Sequence, residues 1–377
     1  MRCQYLSRFV LLGAIVAIAT AVLADSSAAP APLKVSAYQR AVDRAIDFLK
    51  AQQKADGSYT PAVGPGITAV VTTGLLRQGR SPDDPLLAAS LKYLEGFVQK
   101  DGGIYRSNGQ LENYETSLGL MCFAEANRDH RYDKTIKNAD QYLKDMQWGG
   151  KSQPADQSNP SYGGAGYGHH KRPDLSNTSF FIDALKRAGD GPDDPALQRA
   201  LVFVSRCQNL ESEHNTTPFA AKNPDGGFYY TCAAGGESKA EKTANGGLRS
   251  YGSMTYSGLK SMIYAGVGPD DPRVKAALKW AQAHYGLDSN PGMGSAGLYY
   301  YYHTFAKALD ATGLKQVEDD KGAKHDWRSE LLNVLVRRQQ PNGSWVNEDQ
   351  KFMETDPNLV TGYALLTLVY CRPAAGK

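Results

Sequence analysis

The sequence predicts an all-α fold, an (α/α)6 toroid in which six helical hairpins form a closed ring. Three observations predict it. Glycine-rich turns recur along the chain, the helices that follow these turns share a threonine, and amphipathic helices alternate with helices that are apolar on nearly every side. Repeated hairpins of this kind bury their apolar helices against their neighbours. The predicted toroid is a single domain over residues 36–371.

The recurring turns contain Asp or Asn, then Gly, then Gly or Ser, and soon afterwards an aromatic residue. Glycine allows the positive φ of a tight turn, the Asx side chain bonds its own backbone, and the aromatic ring packs back on the helices. The clear copies are QQKADGSY (52–59), VQKDGGIY (98–105), NPDGGFYY (223–230) and RQQPNGSW (338–345). Looser copies occur at 162–168 and 292–299.

A second motif, SPDDP or GPDDP, precedes amphipathic stretches at 81–85, 191–195 and 268–272. Paired aspartates can serve as acids or metal ligands. Their fixed place before helices instead favours helix capping, with proline in the first turn, where its missing N–H costs nothing. We therefore predict three helix N-caps at these motifs.

The apolar helices align without gaps on one threonine. These threonines are Thr68, Thr116, Thr178, Thr255, Thr304 and Thr361. A helix that is apolar nearly all round is buried on all sides. The stretches before the turns, such as 38–53 and 271–286, carry charge on one face and apolar residues at helical spacing. Each hairpin therefore combines an outer amphipathic helix with an inner apolar helix.

Closure of the ring is expected because an open stack would expose apolar helices at both ends, although a curved open solenoid is the alternative. In a closed ring the N-termini of the inner helices share one rim. Residues just before the repeated threonines should then converge on a central cavity. The residues predicted at this cavity are Tyr114, Glu115, Asn177, Tyr251, Met254, Tyr302, His303 and Asn358.

The N-terminus predicts export. Arg2 and Arg8 precede an apolar run, and small residues at 22–24 resemble a cleavage site, so residues 1–24 read as a secretory signal peptide. The run at 9–24 is shorter than the roughly 20 residues of a spanning helix, which argues against a membrane anchor. No span is predicted in the mature chain, and we expect a periplasmic or extracellular protein.

Charge and cysteine spacing exclude two further classes of function. Without Arg2 and Arg8 the formal net charge falls from +3 to +1, so no basic field predicts a nucleic-acid partner. None of the later cysteines forms a CxxC pair, which gives no support to a zinc knuckle. Cys207 and Cys232 are the nearest pair in sequence for a disulfide.

Six hairpins with these turns resemble the α/α-toroid superfamily of protein prenyltransferase β-subunits and squalene or terpene cyclases. NPDGGFYYT and RQQPNGSW are similar to its prenyltransferase and squalene-oxidase repeat signature, and the resemblance covers essentially the whole mature chain. It implies the toroid fold. One toroid hosts several chemistries, so the fold does not specify the reaction.

The prenyltransferase members imply a zinc site that this chain does not complete. Their zinc is held by an Asp and a Cys on one inner helix and a His on the next, and His303 matches that His. Tyr251 and Ser253 occupy the positions of the Asp and the Cys. Catalytic zinc needs three protein ligands, so we predict no metal and no other cofactor.

The cyclase members imply a DxDDT motif whose central Asp protonates an alkene. The similar segment here is ENYET (112–116), which has Tyr114 at the position of the acid. A phenol with a pKa of about 10 cannot replace that carboxylic acid, so Glu115 is the candidate acid. The alternative is that Glu115 only stabilises a helix N-terminus. His303 is a candidate general base, with a ligand contact, a metal ligand and a structural histidine as alternatives.

The sequence therefore predicts an exported toroid that binds an isoprenoid or another apolar small molecule, with catalysis an open question. A divergent terpene cyclase is one alternative. A toroid that acts on carbohydrate or binds a protein partner is another, since aromatic walls also suit sugar rings. The long insertion at 209–249 is predicted to cover either kind of site.

Overall fold

A computed structural model describes residues 31–373, so the predicted signal peptide at 1–24 lies outside the described residues. Twelve α-helices lie within this range. They are α1 Ala31–Gln52, α2 Gly66–Arg77, α3 Pro85–Glu95, α4 Glu112–Ala126, α5 Asp133–Met146, α6 Leu175–Ala188, α7 Pro195–Arg206, α8 Gly252–Tyr264, α9 Pro272–Ala283, α10 Leu298–Thr312, α11 Trp327–Arg338 and α12 Pro357–Tyr370. Strands β1 Val317–Glu318 and β2 Lys324–His325 pair antiparallel between α10 and α11.

The even-numbered helices form the inner layer and the odd-numbered helices the outer layer. Helix α2 is buried from Gly66 to Leu76, whereas α5 buries only one face, through Ala139, Leu143 and Met146. The inner helices pack against one another in chain order from α2 to α12, and α12 packs against α2. The buried apolar residues of these helices form one continuous hydrophobic core.

The repeated threonines connect each inner helix to the turn before it. Five of the six hydroxyls accept the backbone N–H of a turn residue. These bonds join Thr68 to Tyr59, Thr116 to Ile104, Thr178 to Ala165, Thr255 to Phe228 and Thr361 to Trp345, at distances of 2.9, 3.0, 3.0, 3.1 and 3.2 Å. The repeated threonine therefore satisfies a buried backbone donor, which would be costly to leave unpaired.

Thr304 departs from this pattern. Its hydroxyl donates to the Tyr301 carbonyl of its own helix at 3.0 Å. Helix α10 begins at Leu298, six residues before Thr304, whereas α2 begins two residues before Thr68. The other inner helices begin three or four residues before their threonines, so Thr304 lies two to four residues deeper in its helix than its counterparts, and the gap-free alignment is wrong at this repeat.

Glutamines connect the turns to the outer layer. In four repeats a glutamine side-chain amide donates both to the carbonyl of the turn glycine and to a carbonyl of a neighbouring outer helix. The glutamines and the outer-helix acceptors are Gln53 with Leu86, Gln147 with Ala196, Gln208 with Arg273 and Gln339 with Ala41. The last of these bonds joins the C-terminal end of α11 to α1.

The predicted N-caps are confirmed. Asp84, Asp194 and Asp271 each accept a backbone N–H two residues later, at 3.0, 2.7 and 2.8 Å, and a proline follows each as the first helical residue. The second aspartate of each pair is therefore a structural residue.

Two further properties concern membrane spans and cysteines. No helix within residues 31–373 is both long enough and apolar enough to cross a membrane. Cys122, Cys207, Cys232 and Cys371 are buried free thiols.

Candidate functional site

A cavity of about 340 Å³ lies at the N-terminal ends of the inner helices. Every inner helix contributes a lining residue from its first four positions. These contributions are Gly66 and Ile67, Tyr114 and Glu115, Ser176, Ser253 and Met254, Tyr300, and Leu359. The volume falls at the small end of the range of about 300–1,000 Å³ that small-molecule sites occupy.

Aromatic side chains make up much of the cavity wall. They are Tyr114, Tyr167, Phe180, Tyr230, Tyr251, Tyr300, Phe352 and Tyr363. The ring of Phe180 lies 5.5 Å from that of Tyr114, edge to face, and 5.9 Å from that of Tyr300. Such packing holds the rings in place and gives the cavity a rigid apolar surface.

The insertion at 209–249 supplies part of the wall through Tyr230 and Lys239. Lys239 forms an ion pair with Glu237, and its ammonium lies 4.6 Å from the centre of the Tyr230 ring. The insertion is anchored to the entrance of α6, because Thr231 donates its hydroxyl to the Pro173 carbonyl at 2.7 Å. This segment therefore closes one side of the cavity.

Glu115 is a buried carboxyl group at the cavity wall. Its side chain is 2 % exposed, and Oε2 accepts the backbone N–H of Arg106 at 2.8 Å. Oε1 lies against Gly64, where an added Cβ would come within 2.2 Å of it. Burial raises the pKa of Glu115 above its ordinary value, although the N–H and the guanidinium of Arg106 act in the opposite direction. Burial thus disfavours the charged form of Glu115 relative to the same group in water.

Glu354 is a second buried carboxyl group at the wall, but its oxygens are already engaged. Oε1 accepts the backbone N–H of Tyr300 at 2.8 Å, while Oε2 accepts the N–H of Tyr299 at 3.2 Å and the amide of Asn347 at 2.7 Å. Burial raises the pKa of Glu354, and these donors partly lower it. Glu354 therefore caps α10 from a distant loop and positions Tyr300.

Four of the predicted cavity residues line the cavity, namely Tyr114, Glu115, Tyr251 and Met254. Three others have structural partners elsewhere. Asn177 donates to the Asp174 carboxylate at 2.8 Å, Tyr302 donates to the Leu287 carbonyl at 2.5 Å, and Asn358 donates to the Thr60 hydroxyl at 3.1 Å. Asn177, Tyr302 and Asn358 do not line the cavity.

The bond from Asn177 supports a buried acid. Asp174 caps α6 and is 2 % exposed, and burial raises its pKa to about 6, with the Asn177 bonds acting in the opposite direction. Asn177 is therefore a partner of the α6 cap.

His303 was predicted at this cavity, and the structure does not place it among the lining residues. Because α10 starts two to four residues early relative to Thr304, Tyr300 takes the cavity position and His303 lies deeper, beyond Phe180 and Tyr363. Burial, together with nearby Lys307, lowers the pKa of His303 well below its ordinary value, so the ring is neutral. Its Nδ1 atom is buried without a hydrogen-bond partner.

Sequence reasoning missed several residues of the wall. Tyr300 could have been found from Gly297, a left-handed N-cap that marks the true start of α10. Glu354, Tyr230 and Tyr363 carry no such signal, because only the folded chain brings their segments to the same cavity.

The arrangement of possible metal ligands can also be examined in the described residues. Among residues 31–373 no three His, Cys, Asp or Glu side chains are grouped so that they could hold a metal ion. Tyr251 and Ser253, which the resemblance aligned with two zinc ligands of the prenyltransferases, both line the cavity.

A polar groove of about 640 Å³ adjoins the cavity and shares Lys239 and Met293 with it. Charged side chains of both signs line the groove, namely Asp225, Lys239, Glu241, Arg249 and Lys351. An apolar cavity and a polar groove are thus contiguous.

No protein-family model matches the chain, and no curated protein matches it in sequence. Solved structures do resemble it. Type II terpene cyclase MstE from Scytonema is 13 % identical, with a TM-score of 0.51 over 90 % of this chain and 99 % of that chain. A polysaccharide lyase is 10 % identical, with a TM-score of 0.53 over 88 % of this chain and 96 % of that chain.

A third similar structure is a glycosyl hydrolase of family 88 from Bacteroides vulgatus. It is 11 % identical, with a TM-score of 0.53 over 88 % of this chain and 98 % of that chain. All three are α/α-toroid enzymes. At this level of identity the similarity shows a shared fold and does not specify a reaction.

Proposed function

We propose that this chain is a six-hairpin toroid, one domain over residues 36–371, that binds an isoprenoid or another apolar chain in its central cavity. The single observation that carries this function is the aromatic wall of the 340 Å³ cavity, to which all six inner helices contribute. The contact of α12 with α2 supports closure of the ring. An apolar ligand would replace water against tyrosine and phenylalanine rings, which is favourable without any specific polar contact.

Few charged groups are available in the cavity to bind a polar ligand. Among the described residues three charged side chains reach it, namely Glu115, Lys239 and Glu354. The carboxylate of Glu354 is saturated by backbone and amide donors, and Lys239 is paired with Glu237. Glu115 alone of these has an oxygen that faces the space near Gly64 and the cavity. The cavity therefore favours an apolar ligand with at most one polar contact.

Divergent cyclase activity is a second candidate function, favoured by the environment of Glu115. An acid that protonates an alkene must hold its proton at working pH, and burial raises the pKa of Glu115 in that direction. Proton transfer would leave a carboxylate on Glu115 and a cation on the ligand. The rings of Tyr114 and Tyr300 line the same space and would stabilise that cation.

A carbohydrate-acting toroid is the other candidate, favoured by the adjoining polar groove with its lysine and arginine side chains. Two of the similar structures are a polysaccharide lyase and a glycosyl hydrolase. A glycan would occupy the groove and depend on Arg249 and Lys351, whereas an isoprenoid would occupy the cavity and depend on its aromatic wall. The two functions therefore predict sensitivity to different substitutions.

Native mass spectrometry on residues 25–377 distinguishes these proposals. The protein would be incubated with geranylgeraniol or with an acidic oligosaccharide and compared with the denatured mass. We expect a geranylgeraniol adduct that Ser176→Phe, which fills the cavity, abolishes and Ser176→Ala retains. An oligosaccharide adduct that is lost when Arg249 and Lys351 are substituted, but that still forms with the Ser176→Phe variant, would instead support the carbohydrate function.

Catalysis and export need separate measurements. Glu115→Gln keeps an acceptor for the Arg106 N–H but cannot donate the acidic proton, so it should bind geranylgeraniol and form no cyclised product. Export of the chain to the periplasm or beyond, with removal of residues 1–24, is proposed from the leader sequence alone. Mass determination of the N-terminus after expression of the full chain tests it, and an intact Met1 in the membrane fraction would contradict it.

A further inference from the structure

A smaller chamber of about 30 Å³ lies beyond the floor of the ligand cavity. Phe180 and Tyr363 line both spaces and so form the partition between them. The chamber has charged walls, in contrast to the aromatic cavity, and neither candidate chemistry uses it. A volume of this size accommodates a water molecule or a small ion but no organic ligand.

The first charged cluster at the chamber is centred on Asp183. Its two oxygens lie 2.6 Å from the ammonium groups of Lys260 and Lys307, respectively. The side chains of Asp183 and Lys260 are 5 % and 3 % exposed, and that of Lys307 is 12 % exposed. Lys260 also donates to the Ser179 carbonyl and hydroxyl, at 3.0 and 2.7 Å. One buried carboxylate thus serves two ammonium groups.

In the second charged cluster one carboxylate again lies between two basic groups. Oε2 of Glu125 lies 3.2 Å from the guanidinium of Arg187 and 4.0 Å from that of Arg77. Arg77 also donates to the Tyr370 hydroxyl at 3.1 Å, while Arg187 is half exposed and lies at the outer edge. Glu125, Arg77 and Arg187 line the chamber together with Asp183 and Lys307.

The two clusters together carry four basic groups and two carboxylates, an excess of two positive charges; Arg187 is half exposed, whereas the other three basic groups have little contact with solvent. A charged group that is buried without a counterion destabilises the folded state. Such a group usually either pairs with an ion of opposite charge or changes its protonation state so that it becomes neutral. The ring of His303 lines the chamber, and its Nδ1 atom is buried and has no hydrogen-bond partner among the described residues. The charge balance and this unpartnered atom both favour an anion at this place.

We propose that the chamber binds one small monovalent anion of about the size of chloride, held by Lys307, Arg77 and Arg187 beside His303. The chamber volume excludes phosphate-sized ligands, and the excess of basic groups favours an anion over a water molecule. The anion would stabilise the core of the ring from the side opposite the ligand cavity. This site does not depend on which ligand the aromatic cavity binds.

The charged groups around the site predict how it responds to pH. Asp183 and Arg187 face it from α6, Lys307 and His303 from α10, Arg77 from α2 and Glu125 from α4. Tyr264 of α8 and Tyr370 of α12 also lie beside it, through their contacts with Lys307 and Arg77. Burial lowers the pKa of Lys260 to about 8 and also lowers that of Lys307. The positive excess therefore shrinks as the pH rises through 8, and anion affinity should fall with it.

The test compares thermal unfolding of the full mature chain in sodium chloride, sodium bromide and sodium gluconate at constant ionic strength. We expect chloride and bromide to raise Tm along a saturating curve by a few degrees, and gluconate, which is too large for the chamber, to have no such effect. The shift should be smaller at pH 9 than at pH 7. Anomalous diffraction from bromide-soaked crystals should place one ion beside Lys307.

Two variants test whether the halide-dependent rise in Tm comes from the proposed chamber. Lys307→Met leaves Asp183 paired with Lys260, and Arg187→Gln changes a half-exposed side chain that should not affect folding, so at least one variant remains measurable. Each should remove most of the halide-dependent shift in Tm. Equal Tm values in chloride and gluconate, or a halide shift that survives in both variants, would overturn the proposal.

Discussion

The side-chain amide of Gln339 donates to the carbonyl oxygen of Ala41 at 2.8 Å, across 298 positions of the chain. The same amide donates to the Gly343 carbonyl of its own turn at 2.9 Å. Equivalent glutamines make local versions of this bond between successive repeats. One side chain therefore joins the last outer helix and its turn to the first, through the same contact that links the interior repeats.

Gln339→Ala should destabilise the fold by about 1–3 kcal/mol, because two backbone carbonyls lose their donor at a part-buried site. Chemical denaturation of both proteins measures the free energy of unfolding. Gln340→Ala is the matched control, since this neighbouring side chain is exposed. Equal stabilities of the two variants would show that the bond between Gln339 and Ala41 contributes nothing to closure.

Thr255→Val should cost about 1–3 kcal/mol, because the buried N–H of Phe228 loses its acceptor. Thr304→Val is a control of the same chemistry, since the Thr304 hydroxyl bonds only within its own helix. We expect Thr304→Val to cost less than Thr255→Val in the same unfolding experiment. The reverse order would contradict the role assigned here to the repeated threonine.

Glu115→Gln should change how stability depends on pH. The pKa of Glu115 is raised in the folded chain, so its protonated form contributes stability below the ordinary value of 4.5, and that contribution is lost as the pH rises through the folded pKa. The Gln variant should therefore gain stability relative to the wild type as the pH rises from acid to neutral. The exposed Glu348→Gln variant controls for loss of one carboxylate, and parallel pH profiles for Glu115→Gln and wild type would contradict the raised pKa.

Asp183→Asn should destabilise the chain by about 3–5 kcal/mol, because two buried lysines lose their shared counterion. Asp310→Asn removes one partner of an exposed pair with Arg328 and should cost about 1 kcal/mol or less. Adding Lys260→Met to Asp183→Asn should recover part of the loss. A small effect of Asp183→Asn alone would indicate that water already screens the cluster.

Several local features were predictable because they depend on short segments. The Asp–Pro pairs specify helix starts through bonds that span two residues, and all three N-caps formed as predicted. In four repeats the turn residue and the threonine that it bonds lie 9 to 16 residues apart, and only Phe228 and Thr255, on either side of the long insertion, are separated by 27. The repetition of these units predicted helical hairpins. The observed fold is helical and resembles those of α/α-toroid enzymes, in agreement with that prediction.

The candidate site was only partly predictable, and α10 shows the reason. A threonine match placed His303 at the cavity, but the helix starts at Leu298 under the control of Gly297 and the distant Glu354, so Tyr300 lines the cavity. Sequence by itself determined the hairpins, their caps and the apolar character of the inner helices, because those depend on local bonds and periodicity. Tertiary structure alone decided the helix register, the remote wall residues and the shared counterion of Lys260 and Lys307, because these depend on contacts between segments far apart in the chain.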